Sequence, residues 1–249
     1  MEFIKVGETD VYYQHQSGNT PAGSIIFIHG SGSSHEVWSN QMKLGMNSIA
    51  LDLPGHGKSG GRAAASIEES AKMAAEFLSA LQLPRPLYLA GHSMGAAIAI
   101  TCALEYPGLA EGIILIGAGQ RMKVMPALLE NLHQGINDPS FIRIGFSPQT
   151  PNHIVECAIK AYAEAETSVL YADFSACNNF DVSQQLEQIR LPVLVIAGAD
   201  DKLTPVKLSE YICSHINHCQ LAVISEAGHF IMLEKPAEVN QLIFDFVTK

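Results

Sequence analysis

Residues 86–106 are PLYLAGHSMGAAIAITCALEY, and this stretch decides the fold. It contains the pattern G-x-S-x-G at Gly91, Ser93 and Gly95, which a chain of this length matches by chance in about one case in ten. The context makes the match more specific, because apolar residues predict a strand before it and alanine-rich residues predict a helix after it. A strand, a sharp turn and a helix are together typical of a nucleophile elbow. We therefore predict that the Ser93 hydroxyl stands above the end of a sheet and that the free N–H of Met94 faces an oxyanion.

Strand-like and helix-like segments alternate along most of the chain. The clearest helix spans Ile67–Leu81, with a capping-box signal at Ser66 and Glu69. An early pair of runs, Phe3–Val6 and Val11–His15, is typical of an antiparallel hairpin at a sheet edge. The alternation predicts an α/β fold with a doubly wound, mostly parallel sheet. Six apolar runs suit its buried strands: Ser24–His29, Asn47–Asp52, Leu87–Ala90, Gly112–Ile116, Val193–Ala197 and Leu221–Ile224.

The alternation stops between Gly119 and Leu191, where helical patterns continue without a convincing strand. The best helices there are Met122–Gln134 and Pro151–Glu164. We predict one core domain, formed by residues 1–118 and 191–249, and a helical cap or lid, formed by residues 119–190, over the strand ends. Four apolar residues of the cap are candidates for substrate binding: Met122, Met125, Phe141 and Phe146.

A serine hydroxyl is a weak nucleophile unless a base removes its proton. Among ten histidines, His229 is the best candidate, because it follows the last predicted strand on a loop that can reach the carboxyl edge of the sheet. His92 adjoins Ser93 and is expected to point away from the hydroxyl. The base needs an acid that orients it. Both Asp200 and Asp201 follow the preceding predicted strand and are candidates for that role.

The loop after the first central strand, HGSGSS from His29 to Ser34, is rich in small residues. Gly30 and Gly32 would let the backbone approach a substrate closely and are candidate substrate-binding residues. We assign the second oxyanion donor to the N–H of Ser31, with Gly32 as the alternative. A glycine-rich run can also hold phosphate, but neither G-K-[ST] nor G-x-G-x-x-G occurs in this loop, so nucleotide binding is not expected.

The composition is that of a globular protein, with 47% apolar and 16% charged residues among 249. The formal net charge of −10 argues against nucleic acid or anionic membrane as partners. No apolar run approaches the roughly 18 residues that span a bilayer, and no signal peptide is expected. Five cysteines without C-x-x-C spacing predict neither a disulfide framework nor a zinc site, which favours the cytoplasm. No metal or cofactor is implied, and the sequence leaves the oligomeric state open.

Along nearly its whole length the sequence resembles the α/β-hydrolase superfamily, in its serine-nucleophile, lidded, esterase- or lipase-like branch. The resemblance implies Asp201 rather than Asp200 as the acid, scaffold roles for Asp52 and His56, and a helical lid. Ala96 stands where the superfamily often has a second glycine, which affects packing of the elbow rather than the triad. The motifs that carry the resemblance are His29-Gly30 with Trp38 downstream, Asp52–Ser59, the Ser93 elbow, Gly198-x-x-Asp201-x-x-x-Pro205, Gly228-His229 and Glu234-x-Pro236.

The leading functional hypothesis is hydrolysis of a carboxylic ester or related acyl compound, with an apolar small molecule as substrate and an acyl-enzyme intermediate. Serine at the nucleophile position argues against haloalkane dehalogenase and epoxide hydrolase chemistry. The alternatives are carbon–carbon bond hydrolysis, lyase or thioesterase chemistry on the same triad, or a small-molecule receptor that turns over slowly. An acidic carbon–carbon substrate would need a basic group over the pocket, for which the cap offers Arg121, Lys123, Arg143 and Lys160.

Overall fold

A computed structural model describes residues 2–18 and 23–249, and among these residues eight strands form one sheet. In chain order they are β1 Glu2–Val6, β2 Thr9–Gln16, β3 Ser24–Ile28, β4 Asn47–Leu51, β5 Leu87–His92, β6 Gly112–Ile116, β7 Val193–Gly198 and β8 Cys219–Ile224. Across the sheet they run β1-β2-β4-β3-β5-β6-β7-β8. The pairs β1–β2 and β2–β4 are antiparallel, and all the others are parallel. The predicted α/β class with a doubly wound, mostly parallel sheet is confirmed.

Apolar layers cover both faces of the sheet, which is why its central strands are continuous apolar runs. In β3, Ile26 and Ile28 belong to a core cluster on one face, whereas Ile25 and Phe27 belong to a second cluster on the other. The first cluster includes residues of α1 (Ile67–Leu81), α2 (Met94–Glu105) and α6 (Val206–His215). The second includes residues of α7 (Ile231–Glu234) and α8 (Pro236–Val247), together with the buried Trp38.

Helix α1 has the predicted bounds and most of the predicted capping. The Ser66 side chain accepts a hydrogen bond from the N–H of Glu69 at 3.2 Å. The Glu69 carboxylate accepts from the N–H of Ala65 at 2.8 Å, one residue earlier than a capping box requires. The signal therefore locates the first turn correctly, although the reciprocal bond goes to a neighbouring amide.

The β6–β7 connection, residues 117–192, contains three helices: α3 Pro126–His133, α4 Asn152–Ala163 and α5 Thr167–Asn179. The predicted start of the first helix at Met122 is wrong, because Pro126 occupies the first turn and a proline disfavours helical backbone before it. The prediction also missed α5 as a helix. The division into core and cap stays a prediction, and its core range 1–118 includes residues 1 and 19–22, which lie outside the described residues.

A disulfide joins Cys213, near the end of α6, to Cys219, at the start of β8. The sequence analysis, which predicted no disulfide framework, did not anticipate this single disulfide. The two residues are only six positions apart, and the turn between helix and strand brings their Cα atoms within 5.1 Å, inside the usual range for a disulfide. The other three cysteines are free.

Candidate active site

Ser93 lies at the turn between β5 and α2, in a backbone conformation that few residues adopt. Its φ of +53° and ψ of −113° are outside the regions that L-residues prefer. A Cβ on Gly91 would lie 2.0 Å from the carbonyl oxygen of Gly95, and a Cβ on Gly95 would lie 2.1 Å from that of Ile28. Both glycines are therefore required by the close packing of the turn against the helix start and β3. The turn holds Ser93 at the carboxyl end of β5, as the elbow motif predicts.

His229 lies on the loop that follows β8, and its side chain is almost completely buried. Its Nδ1 donates a hydrogen bond to Oδ2 of Asp201 at 2.8 Å. Its backbone N–H donates to the carbonyl oxygen of Gly145 in the β6–β7 connection at 2.5 Å. Because Nδ1 is committed to the carboxylate, Nε2 is the ring nitrogen that remains to accept a proton.

The Asp201 carboxylate is buried and accepts four hydrogen bonds. Oδ1 accepts from the backbone N–H groups of Leu203 and Thr204, both at 2.8 Å. Oδ2 accepts from the Thr204 hydroxyl at 2.7 Å and from His229. Burial alone would raise the pKa of Asp201, but the charge of His229 and these hydrogen bonds hold it below its ordinary value. Asp201 is therefore a buried anion bonded to the ring of His229.

Asp200, the other candidate acid, points elsewhere. Its Oδ2 accepts a hydrogen bond from the hydroxyl of Ser147 at 2.6 Å. Asp200 thus ties the strand end to the β6–β7 connection, and Asp201 is the aspartate that contacts His229. The contact with His229 therefore agrees with the aspartate that the resemblance implies.

The ring of His92 packs against the ring of His229 and is bonded to its backbone. Its Nε2 donates to the carbonyl oxygen of His229 at 3.0 Å, and the two ring centroids are 4.7 Å apart. Burial lowers the pKa of His92 to about 3, so the ring is neutral. A neutral ring at this place does not repel the cation that His229 would become. The Nδ1 atom of His92 is buried without a hydrogen-bond partner.

The two alternatives for the second oxyanion donor differ in what they bind. The N–H of Gly32 donates to Oδ2 of Asp173, on α5, at 2.9 Å. That amide is therefore occupied, which favours Ser31 as the donor. Met94 is the first residue of α2, where backbone N–H groups have no partner within the helix. Ser31 and Met94 are also linked, since the Ser31 hydroxyl contacts the Met94 sulfur at 3.6 Å.

A family model described as serine aminopeptidase, S33, matches residues 19–236, which is most of the chain. This chain is an α/β hydrolase of that family. A solved thermophilic esterase is 31% identical to it, covers 99% of this chain and 96% of its own, and superposes with a TM-score of 0.87. The 2-hydroxy-6-oxo-6-phenylhexa-2,4-dienoate hydrolase of Comamonas testosteroni is 27% identical over 99% of this chain and 96% of its own. Human monoacylglycerol lipase ABHD6 is 22% identical over 94% of this chain and 77% of its own.

The hydrolase has a cavity of about 840 Å³ that both Ser93 and His229 line. Of the predicted pocket residues, Gly32, Met122, Met125 and Phe141 lie in its wall. Gly30 and Phe146 are not among the residues that line it. A Cβ on Gly30 would meet the His92 ring at 2.9 Å, and Phe146 is turned away to stack on Phe230 at 4.5 Å between centroids. Wall residues that sequence reasoning missed include His153, Tyr162, Phe174, Leu203, Thr204 and Phe230.

Buried histidines and a carboxylate hold the loops around the site of the hydrolase. His29 donates from Nδ1 to the Gly30 carbonyl at 2.8 Å and accepts at Nε2 from the Leu53 N–H at 3.0 Å. These bonds define a neutral ring, and burial lowers the pKa of His29 to about 3. Asp52 accepts from the N–H and Nδ1 of His35 and from the N–H of Lys58. The structure thus gives Asp52 contacts within the scaffold and none with His229.

Glu234, in the last motif of the resemblance, joins the loop of the candidate base to the β6–β7 connection. One carboxylate oxygen accepts from the N–H of Gly228 at 2.9 Å. The other accepts from the N–H of Ser147 at 2.9 Å and from the Thr150 hydroxyl. Gly228 and His229 are therefore both attached to the β6–β7 connection: Gly228 through Glu234, and His229 through its bond to Gly145.

Within residues 2–18 and 23–249, no group of three or more His, Cys, Asp or Glu side chains is placed to hold a metal ion. None of the helices in those ranges is long and apolar enough to cross a membrane.

Proposed function

We propose that this hydrolase cleaves carboxylic esters or related acyl compounds through an acyl-enzyme on Ser93. One observation carries the proposal: Ser93, on its strained turn, and His229, which is bonded to Asp201, line the same cavity. The family and the esterase at 31% identity support the same reaction class. We likewise propose that residues 119–190 act as the cap, because α4 and α5 supply Tyr162 and Phe174 to the cavity wall.

The geometry supports an ordinary two-step acyl transfer. Ser93 Oγ attacks the carbonyl carbon while Nε2 of His229 takes its proton. The carbonyl electron pair moves onto oxygen, which the N–H groups of Ser31 and Met94 stabilise. When the tetrahedral intermediate collapses, His229 returns the proton to the departing alcohol and Ser93 keeps the acyl group. Water, deprotonated by His229, then attacks the acyl-enzyme and releases the acid and free Ser93. Asp201 keeps the proton of His229 on Nδ1 throughout.

The wall of the cavity favours an apolar substrate. Two methionines, Met122 and Met125, and aromatic rings such as Phe141, Phe174 and Phe230 face it. Methionine adapts its shape to different ligands, and aromatic rings contribute large contact areas. A volume of about 840 Å³ is within the range of sites for drug-sized ligands. We propose that one apolar acyl or alcohol group fills this space.

Carbon–carbon bond hydrolysis is the second candidate, because the relative from Comamonas testosteroni has that kind of substrate in its name. Of the four basic cap residues considered for an acidic substrate, Lys123 lies in the cavity wall. Its Nζ already donates to the backbone oxygen of Asn178 at 3.2 Å. Arg143 is paired with Glu156 on the surface instead. These contacts argue against Arg143 and weaken the case for Lys123 as the basic group, whereas Lys202, a basic residue of the core, also lies in the cavity wall.

Two assays on the purified protein test the proposal. Hydrolysis of nitrophenyl esters from acetate to laurate should be readily measured, absent in Ser93→Ala, and retained in Ser214→Ala, whose hydroxyl lies outside the cavity and donates to the backbone oxygen of Tyr211. A fluorophosphonate probe should add once to the wild type and not to Ser93→Ala. Labelling without turnover of any ester would refute the ester assignment and favour carbon–carbon substrates or a receptor. Failure of the probe to label Ser93 would refute the nucleophile itself.

A further inference from the structure

A carboxylate outside the predicted triad lies beside the oxyanion loop. Asp173 is on α5, in the β6–β7 connection, and its side chain is 3% exposed. Its Oδ2 accepts from the N–H of Gly32 at 2.9 Å and from Nε2 of His56 at 2.8 Å. One buried oxygen therefore joins a helix of the connection to two loops of the core.

The contacts of His56 define its charge. Its Nδ1 lies 3.0 Å from the carbonyl oxygen of Pro54, which can only accept, so this nitrogen carries a proton. Its Nε2 faces the Asp173 carboxylate and carries a proton as well. Burial alone would lower the pKa of His56, but the hydrogen bond and charge of Asp173 raise it above its ordinary value. His56 and Asp173 therefore form a buried ion pair with no net charge.

The oxyanion loop is held against α4 and α5 at several atoms. Gly32 has a φ of +63°, and a Cβ there would lie 2.4 Å from Leu170 and 2.8 Å from Tyr162. The hydroxyl of Ser31 contacts the sulfur of Cys177, one turn beyond Asp173, at 3.7 Å. One side of the loop is thus packed against α4 and α5, while Ser31 and Gly32 also line the cavity.

We propose that Asp173 is a positioning residue: by binding the Gly32 amide, it orients the neighbouring Ser31 amide as an oxyanion donor. The protonated His56 neutralises the charge of the Asp173 carboxylate. The inference rests on the proposed function, because it concerns the donor that the acyl-transfer step uses. An unpaired carboxylate this close to the donors would oppose the developing negative charge. The His56 cation offsets that opposition, so the loop gains an acceptor for Gly32 without a net negative charge beside the oxyanion.

The test compares Asp173→Leu with Asp173→Asn. Leucine cannot bind Gly32 or His56, so kcat should fall about a hundredfold, the usual effect of losing or misplacing one such donor, while KM stays nearly constant. An asparagine whose amide oxygen takes the place of Oδ2 can accept from both Gly32 and His56, so it should restore most of kcat. If Asp173 only filled space, leucine and asparagine should behave alike, so a kcat restored by asparagine alone would point to the hydrogen bonds.

Val155→Ala is the matched control, because Val155 is buried in α4 of the same connection and does not line the cavity. It should lower the melting temperature and leave kcat close to that of the wild type. Equal losses of kcat in Val155→Ala and Asp173→Leu, a loss confined to KM, or a leucine variant with nearly normal kcat would overturn the proposal. Should the leucine variant not fold, the asparagine variant decides, since a loss of kcat as large as that expected for leucine would also contradict it.

The rate of Ser93 labelling by the fluorophosphonate provides a second readout that needs no known substrate. The phosphoryl oxygen occupies the oxyanion site during the reaction, so Asp173→Leu should slow labelling by about the same hundredfold factor. A wild type that labels normally while Asp173→Leu labels equally fast would refute the positioning role alone. A wild type that does not label would refute the proposed function instead.

Discussion

Asp201→Asn should prevent His229 from acting as a base, whereas the same substitution at the adjacent Asp200 should not. The two side chains are the same size and start from neighbouring positions, but only Asp201 contacts His229. An asparagine in place of Asp201 must fit four existing partners. The backbone N–H groups of Leu203 and Thr204 both point at the Oδ1 position, so the amide oxygen has to occupy it.

The NH₂ group of the new amide would then face His229, because it takes the place of Oδ2. Two donors cannot face each other, so His229 would move its proton from Nδ1 to Nε2. With Nε2 protonated, the ring cannot accept the proton of the nucleophile. The loss of the correct tautomer in a serine triad lowers kcat by about ten-thousandfold, which corresponds to about 5 kcal/mol in the activation free energy.

The assay measures kcat and KM on the nitrophenyl ester that the wild type hydrolyses fastest, with Ser93→Ala purified in parallel to set the background. Asp200→Asn keeps an oxygen acceptor for the Ser147 hydroxyl, so its kcat should stay close to that of the wild type. Melting temperatures of both variants establish that they fold. The reasoning would be refuted if the two variants lost kcat equally, or if Asp201→Asn kept more than about a tenth of the wild-type value.

Three further outcomes can be measured by equilibrium unfolding. Gly95→Ala should reduce the free energy of unfolding by about 3 kcal/mol, because the new Cβ would collide with the Ile28 carbonyl, and an unchanged urea midpoint would contradict this. Reduction of the Cys213–Cys219 disulfide, which closes a short loop, should remove about 2 kcal/mol and lower the melting temperature by about 4 to 8 °C in scans with and without reductant. The raised pKa of His56 means that its stabilising contribution is complete below its unfolded pKa of about 6.5 and is lost as the pH rises through the folded pKa. The free energy of unfolding of His56→Gln, measured by urea titration at several pH values across that range, should not show this loss.

The elements that the sequence predicts well are those whose signal is local. The bounds of β6 and α1 agree with the prediction because a buried parallel strand is a continuous apolar run and α1 has both a stripe and a cap. The elbow was predictable because its sequence motif is local, although only Gly91 is imposed by neighbouring atoms, those of Gly95 and Ala96, whereas Gly95 is imposed by Ile28 and His29.

The parts that were missed depend on contacts distant along the chain. Asp173 is a single aspartate in a segment without a motif, and its partners Gly32 and His56 lie more than a hundred residues away. The loop sequence led to Ser31 as oxyanion donor with Gly32 as the alternative, but the contact that favours Ser31, the bond from the Gly32 amide to Asp173, could not be foreseen from the loop. The start of α3 is different, since Pro126 was a visible signal against a helix that began at Met122.

These distant contacts change what the β6–β7 connection can be expected to do. It is bonded directly to His229 through Gly145, indirectly to Gly228 through Ser147 and Glu234, and to the oxyanion loop through Asp173. A segment that only covered a cavity would need apolar packing and a suitable size. It would not need buried hydrogen bonds to the loops that hold the candidate base and the candidate oxyanion donor. Because polar groups are costly to bury without partners, bonds at these places tie the position of the connection to the geometry of both loops. The connection therefore belongs to the proposed catalytic framework as well as to the wall of the cavity.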